Sequence, residues 1–242
     1  MTEETGMQRL DKILSDAGVA SRKQLKAMIR AGRVTADGKC VSDEAAKFDE
    51  NAVALTVDGE PVKKYRTVLL VMNKPAGLVT ATEDPRQPTV MELVPEEYRK
   101  LGVAPVGRLD KDTEGLLLLT NDGELNHRLC SPKYAIDKVY EAVVEGVLTE
   151  ADRTAFAEGI VLKEFTCLPA KLEILAENRC LVTVQEGKYH QVKRMLQSRG
   201  KPVTFLKRLS VGPIKLPVDL TKGDYRPLTE EEVKTLRLMC HL

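Results

Sequence analysis

Leu116-Leu117-Leu118-Leu119 is the feature that most constrains how this 242-residue chain can fold. It is entered through Gly107-Arg108-Leu109-Asp110-Lys111-Asp112-Thr113-Glu114-Gly115 and left through Thr120-Asn121-Asp122-Gly123. Four leucines without a polar alternate read as a strand buried on both faces, and the rim of such a strand carries its polar groups. A carboxylate at that rim is a candidate for chemistry. Spacing alone leaves two readings open: Asp110 or Asp112 acts in a site, or it closes a turn and pairs with Arg108.

A hydrophobic content of 43% is enough for a core and argues against disorder. The start, Met1 to Met7, is polar and acidic, and no later run approaches the roughly 18 apolar residues of a membrane span. The expectation is a soluble cytoplasmic protein. Five scattered cysteines with no CxxC pair, and three histidines (His127, His190, His241) away from metal-ligand spacing, suggest neither a disulfide framework nor a metal site. No cofactor is expected. The net charge of +1 hides a segregation along the chain. Arg9 to Lys39 carries eight basic residues against three acids, Cys40 to Glu60 one lysine against six acids, and Lys188 to Lys215 eight basic residues with no acid. Two basic zones suggest one polyanion gripped twice.

The spacing of Leu10, Ile13, Leu14 and Ala17 predicts a short helix ended by Gly18, and Ser21-Arg22-Lys23-Gln24 reads as a capping box opening a second helix to Ala31. Arg22, Lys23, Lys26, Arg30 and Arg33 fall on the face opposite Leu25, Met28 and Ile29. Turn signals at Ala36-Asp37-Gly38 and Asp58-Gly59 separate short strands, including one over Ala52 to Val57. Glu60 to Thr67 is polar and contains Pro61, which suggests a linker with its boundary near Tyr65. Beyond it, strands are predicted over Val68 to Met72, Lys138 to Val144, Lys171 to Ala176 and Arg179 to Gln185. Helices are predicted over Glu124 to Leu129, Glu150 to Glu158, His190 to Ser198 and from Thr229 to Met239.

Val106-Gly107-Arg108-Leu109-Asp110 with Asp112-Thr113-Glu114-Gly115 and the leucine run closely resembles the signature of bacterial ribosomal RNA pseudouridine synthases, in their small-subunit branch. Asn73-Lys74-Pro75-Ala76-Gly77, Lys138-Val139-Tyr140, Tyr189-His190-Gln191-Val192-Lys193-Arg194-Met195-Leu196 and Leu206-Lys207-Arg208 with Gly212-Pro213 extend the resemblance over most of the chain. Gln8 to Val57 is similar to the alpha-L motif, a small RNA-binding domain first described in a ribosomal small-subunit protein, through Arg9-Leu10-Asp11-Lys12, Ala20-Ser21-Arg22 and Ile29-Arg30-Ala31-Gly32-Arg33-Val34. The resemblance implies an α+β chain: an alpha-L domain over 1–60, a linker over 61–67, and a catalytic domain over 68–242 with a mixed, mainly antiparallel sheet and flanking helices.

It also implies roles. Asp110 is the catalytic carboxylate, as nucleophile or as base at the sugar. Tyr140 stacks on the detached base and can relay a proton. Lys193 stands where relatives carry arginine or lysine paired to the aspartate; since arginine is commoner there, Arg194 is the alternative for the pairing role. Arg108 and Leu206 belong to the substrate pocket. Arg194 also joins Arg9, Lys12, Arg22, Lys23, Lys26, Arg30 and Arg33 as candidate RNA contacts. The implied partner is ribosomal RNA, met within a pre-ribosomal particle by a monomeric enzyme. Rival readings are a large-subunit rRNA target, a non-catalytic assembly factor, and a glycoside hydrolase using Asp110 and Asp112 as a carboxylate pair.

Overall fold

The structure is a computed structural model and describes residues 7–20, 22–49, 52–62 and 67–242. The chain is α+β and forms two compact units, divided between Thr67 and Val68. In the first, β1 (Met7–Arg9) leads directly into α1 (Leu10–Asp16), followed by α2 (Arg22–Arg30), β2 (Val34–Ala36), β3 (Lys39–Cys40), β4 (Lys47–Asp49), β5 (Leu55–Val57) and β6 (Glu60–Pro61). Strands β3-β2-β5-β6 form one sheet, and β1 pairs with β4 in another. Leu10 and Leu14 of α1 meet Leu25 and Ile29 of α2 and Val34 of β2, all fully buried. Each is worth about 1.5–3 kcal/mol of apolar burial. Ser21, proposed as a helix cap from the sequence, lies outside the described residues.

Two sequence expectations shift here. The strand predicted over Ala52 to Val57 shortens to β5, because the Ala52 and Val53 N–H groups both donate to the Asp49 carbonyl in a turn. The chain also stays in the sheet past Glu60: Glu60 and Pro61 pair with Val57 and Thr56, and the Val62 N–H donates to the Leu55 carbonyl. Asp58-Gly59 makes this possible, both residues taking positive φ in a tight hairpin turn. Tyr65, the expected boundary, lies outside the described residues.

The second unit is built on a nine-stranded sheet with the order β11-β12-β10-β13-β9-β7-β15. Its strands are β7 (Leu69–Lys74), β8 (Ala104–Pro105), β9 (Glu114–Thr120), β10 (Lys138–Val144), β11 (Lys171–Ala176), β12 (Arg179–Val184), β13 (Val203–Val211), β14 (Ile214–Lys215) and β15 (Tyr225–Pro227). Strands β8 and β14 add to β9 and β13, and β9 against β13 is the parallel pair. The helices are α3 (Glu96–Lys100), α4 (Gly123–Cys130), α5 (Glu150–Glu158), α6 (Gln191–Ser198) and α7 (Glu230–Met239). The leucine run is buried throughout because it has a core on each face. Leu117 and Leu119 join Phe156 of α5 and Met195 of α6, whereas Leu116 and Leu118 join Leu125 of α4 and Leu236 of α7.

Two boundaries bear on the site. Strand β7 runs on to Lys74, beyond the predicted Met72, and buries that lysine completely. Helix α6 starts at Gln191 and not His190, because His190 takes φ 50°, a left-handed conformation that ends the preceding loop.

Candidate active site

Asp110 lies on the turn leading into β9, closed by the Thr113 N–H donating to the Asp110 carbonyl at 3.1 Å. Three ties hold this turn from below. The Thr80 hydroxyl donates to the Leu109 carbonyl at 2.9 Å and accepts from the Leu109 N–H at 3.2 Å. The Gly77 N–H donates to the Lys111 carbonyl at 2.8 Å. The buried Lys74 ammonium donates to the carbonyls of Thr113 and Pro75, each at 2.9 Å, and of Lys111 at 3.2 Å. Burial pushes Lys74 down to about 8, since the interior penalises its charged form.

Helix α6 closes the cleft from the other side. Its buried Val192, Met195 and Leu196 fix its rotation, which aims Lys193 at the turn. Lys193 Nζ lies 3.2 Å from Asp110 Oδ2 and 2.5 Å from Asp112 Oδ1, so one ammonium serves both acids. The hydrogen bond from Lys193 holds the Asp112 carboxyl below its ordinary range. His190 Nε2 lies 3.5 Å from Asp110 Oδ1. Arg194 is turned roughly 100° further around the helix. It pairs with Glu164 and covers the Phe165 ring at 5.1 Å, away from Asp110.

Strand β10 supplies the floor. Tyr140 is opposite Arg208 and Ala142 opposite Leu206 on β13, which puts Tyr140, Leu206 and Arg208 on one face. Tyr140 is only 9% exposed. Buried Arg208 donates Nε to the Leu116 carbonyl at 2.7 Å and Nη1 to the Tyr140 hydroxyl at 3.4 Å. Buried Lys138, two residues before Tyr140, donates to the Ile136 carbonyl at 3.0 Å. Burial and then the neighbouring Arg208 push its ammonium below the usual lysine range. Arg108, Asp110, Tyr140, Lys188, His190 and Leu206 line one cleft. Its contents are a carboxylate held by a cation, an aromatic ring, an apolar wall and further bases at the mouth, a set suited to acting at a sugar while a planar base is kept stacked.

The structure thus brings together Asp110, Tyr140, Lys193, Arg108 and Leu206, and directs Arg194 elsewhere. Sequence reasoning did not single out Lys74, His190 or Arg208, and it offered Asp112 as a candidate acid without its pairing to Lys193. Lys74 and Arg208 did leave a signal: each is a cation two places after a buried apolar residue of its strand, Met72 or Leu206, and so falls on the same inward face.

Four of the candidate RNA contacts of the first unit, Arg9, Lys26, Arg30 and Arg33, are met by acids of the same unit. Arg9 binds Asp11 in two hydrogen bonds at 2.9 Å, Lys12 Nζ donates to Gln8 at 2.8 Å, and Lys26 and Arg30 both lie 3.4 Å from Glu44. Arg33 grips Asp58 through both carboxylate oxygens, at 2.7 and 2.5 Å. Lys23 is exposed, and the side chain of Arg22 lies outside the described residues. The charge segregation along the chain is therefore partly undone in space, because Glu44 folds back onto the basic helix and Asp58 onto Arg33 just beyond it.

Among the described residues no helix is long and apolar enough to cross a membrane, and no group of three or more His, Cys, Asp or Glu side chains stands ready to hold a metal.

Residues 68–198 match the family model described as RNA pseudouridylate synthase, and residues 8–53 match the S4 domain. The chain is 45% identical over 233 residues to an uncharacterized RNA pseudouridine synthase of Bacillus subtilis (strain 168), covering 94% of this chain and 98% of that protein. It is 40% identical over 234 residues to ribosomal small subunit pseudouridine synthase A of Escherichia coli (strain K12), covering 94% and 99%. A crystal structure of a pseudouridylate synthase superposes with a TM-score of 0.69 at 35% identity, covering 94% of this chain and 99% of that one.

Proposed function

The chain belongs to the RNA pseudouridylate synthase family, and from that premise we propose that it isomerises a specific uridine of 16S small-subunit ribosomal RNA, with Asp110 as the catalytic carboxylate. The observation that carries this reading is the ion pair of Asp110 with Lys193 at the edge of a cleft floored by Tyr140 and Leu206. The 40% identity to a small-subunit enzyme along nearly the whole chain supports this choice of target.

The reaction breaks the bond from N1 to C1′, turns the freed uracil, and forms the bond from C5 to C1′; C5 loses a proton and N1 gains one, with no change of oxidation state. Asp110 acts at the sugar, by attack on C1′ or as a base, and both routes require its ionised form. Lys193 fixes the direction of that carboxylate. Tyr140 keeps the free base stacked, and Leu206 excludes water beneath it. Duplex RNA hides its bases, so the uridine is taken from a loop or flipped out. Residues 1–62 act as the RNA-binding domain, with Arg9, Lys12, Arg22, Lys23, Lys26, Arg30 and Arg33 on phosphates, residues 63–67 as linker, and residues 68–242 as the catalytic domain. The setting is a pre-ribosomal particle in the cytoplasm, with the enzyme a monomer.

Mapping pseudouridines in ribosomal RNA from cells with and without the gene tests the reading. One 16S position should lose its modification and regain it with the wild-type chain but not with Asp110→Asn. Loss of a 23S position instead, or complementation by Asp110→Asn, overturns it.

A further inference from the structure

Tyr189 stands at the mouth of the cleft with 75% of its surface exposed, an unusual position for a large ring. One face is covered: its ring and that of His190 stack with centroids 3.8 Å apart and planes 18° from parallel. The His190 imidazole in turn reaches Asp110 at 3.5 Å. A column of two rings thus begins at the carboxylate and ends at the outer face of Tyr189.

The loop that carries this column is rigidly held. Buried Glu186 accepts from the Leu168 N–H at 2.9 Å and from the Gln191 side chain at 2.7 Å. Gln191 also accepts from the Lys188 N–H at 3.0 Å, and Lys188 Nζ donates to the Thr166 carbonyl at 3.1 Å. His190 adopts a left-handed backbone, a strained conformation for a non-glycine residue, and that conformation belongs to the turn that stacks its ring on Tyr189. An exposed ring on a fixed loop binds a planar partner with little ordering cost.

We infer that the outer face of Tyr189 is a stacking platform for an unpaired nucleobase of the RNA substrate, one that flanks the reacting uridine. The inference rests on the reading of the chain as an RNA-modifying enzyme and adds a recognition site outside the catalytic cleft. Stacking on an aromatic face accepts any base, so the platform selects for a flanking nucleotide that is unpaired and not for its identity.

The test uses the full chain, small-subunit ribosomal RNA transcribed with 5-tritiated uridine, and tritium release as the readout. Tyr189→Ala and Tyr189→Leu should each raise KM by about 5- to 150-fold, the range expected for removing one base–aromatic stack, with kcat at saturating RNA little changed. Tyr189→Phe should stay within about 2-fold of wild type, because the face and not the hydroxyl binds. Active wild type with an unchanged KM in Tyr189→Ala overturns the platform alone. Equal losses in Tyr189→Phe and Tyr189→Ala also overturn it, as does a loss confined to assembled ribosomal particles, which would assign the ring to a protein partner. A wild-type chain inactive on every ribosomal RNA overturns the functional reading and this inference with it.

Discussion

The ammonium of Lys193 sits between two carboxylates, and the difference between them sets what its removal does. Asp110 is 24% and Asp112 76% exposed at the side chain. A fully buried pair would lose about 3–5 kcal/mol on truncation, but this partly solvated one should lose about 1 kcal/mol. Lys193→Met should therefore fold with a nearly unchanged urea midpoint while turnover falls by orders of magnitude, and Lys193→Arg should recover most of it; normal turnover in Lys193→Met would refute the positioning role. Lys74 makes a separate, pH-dependent prediction. Its folded pKa of about 8 lies below the free-lysine value of 10.5, so between those pH values the unfolded chain binds more protons. Stability contributed by this group rises with pH across that window, by up to about 3 kcal/mol. Urea midpoints measured from pH 7.5 to 10.5 should climb more in wild type than in Lys74→Met, and parallel curves would show that Lys74 does not titrate there. Lys74→Met should also slow turnover, since three carbonyls around the Asp110 turn lose their donor.

Strand β9 delivers the Asp110 turn to the face of β10 only because it can approach β13 closely. Gly115 has φ 98°, and a Cβ there would lie 2.2 Å from the Arg208 carbonyl oxygen. In the parallel register Gly115 is opposite Arg208 and Glu114 opposite Lys207, so any retreat of β9 moves Asp110 away from Tyr140. Gly115→Ala should cost at least about 2 kcal/mol from its backbone conformation alone. Calorimetry should show a lowered Tm, and turnover should fall even at temperatures where the variant remains folded. An unaltered Tm would mean that the strands separate freely.

At the scale of the whole molecule, the chain forms two units with separate cores. A chain starting at Tyr65 should fold and, at saturating RNA, react at nearly the wild-type single-turnover rate, because Asp110, Tyr140 and Lys193 all lie beyond it. Its KM should rise, and its slope of log K against log salt should flatten by roughly 0.7 to 0.9 for each phosphate that is no longer neutralised. The ion pairs within the first unit add a refinement. Under the proposed phosphate contact of Arg33, RNA competes with Asp58 for it, so Asp58→Asn should tighten binding and steepen the salt slope. Identical slopes for the truncated, Asp58→Asn and wild-type chains would show that the first unit does not touch RNA.

Periodicity and turn chemistry alone predicted the span of β10 as Lys138 to Val144, the span of α5 as Glu150 to Glu158, and the existence of strands β11 and β12, because these are local effects written in consecutive residues. The leucine run announced a strand with two covered faces for the same reason. What joined Asp110 to Lys193, 83 positions apart, to His190, and to Tyr140 across the sheet was long-range strand pairing and the rotation of α6. Successive residues on a helix point about 100° apart, so Lys193 and Arg194 were interchangeable on paper and diverge only once α6 is packed. Linear charge counts failed for a related reason: Coulomb attraction acts through space, and the fold sets Glu44 and Asp58 against bases that lie well apart from them along the chain.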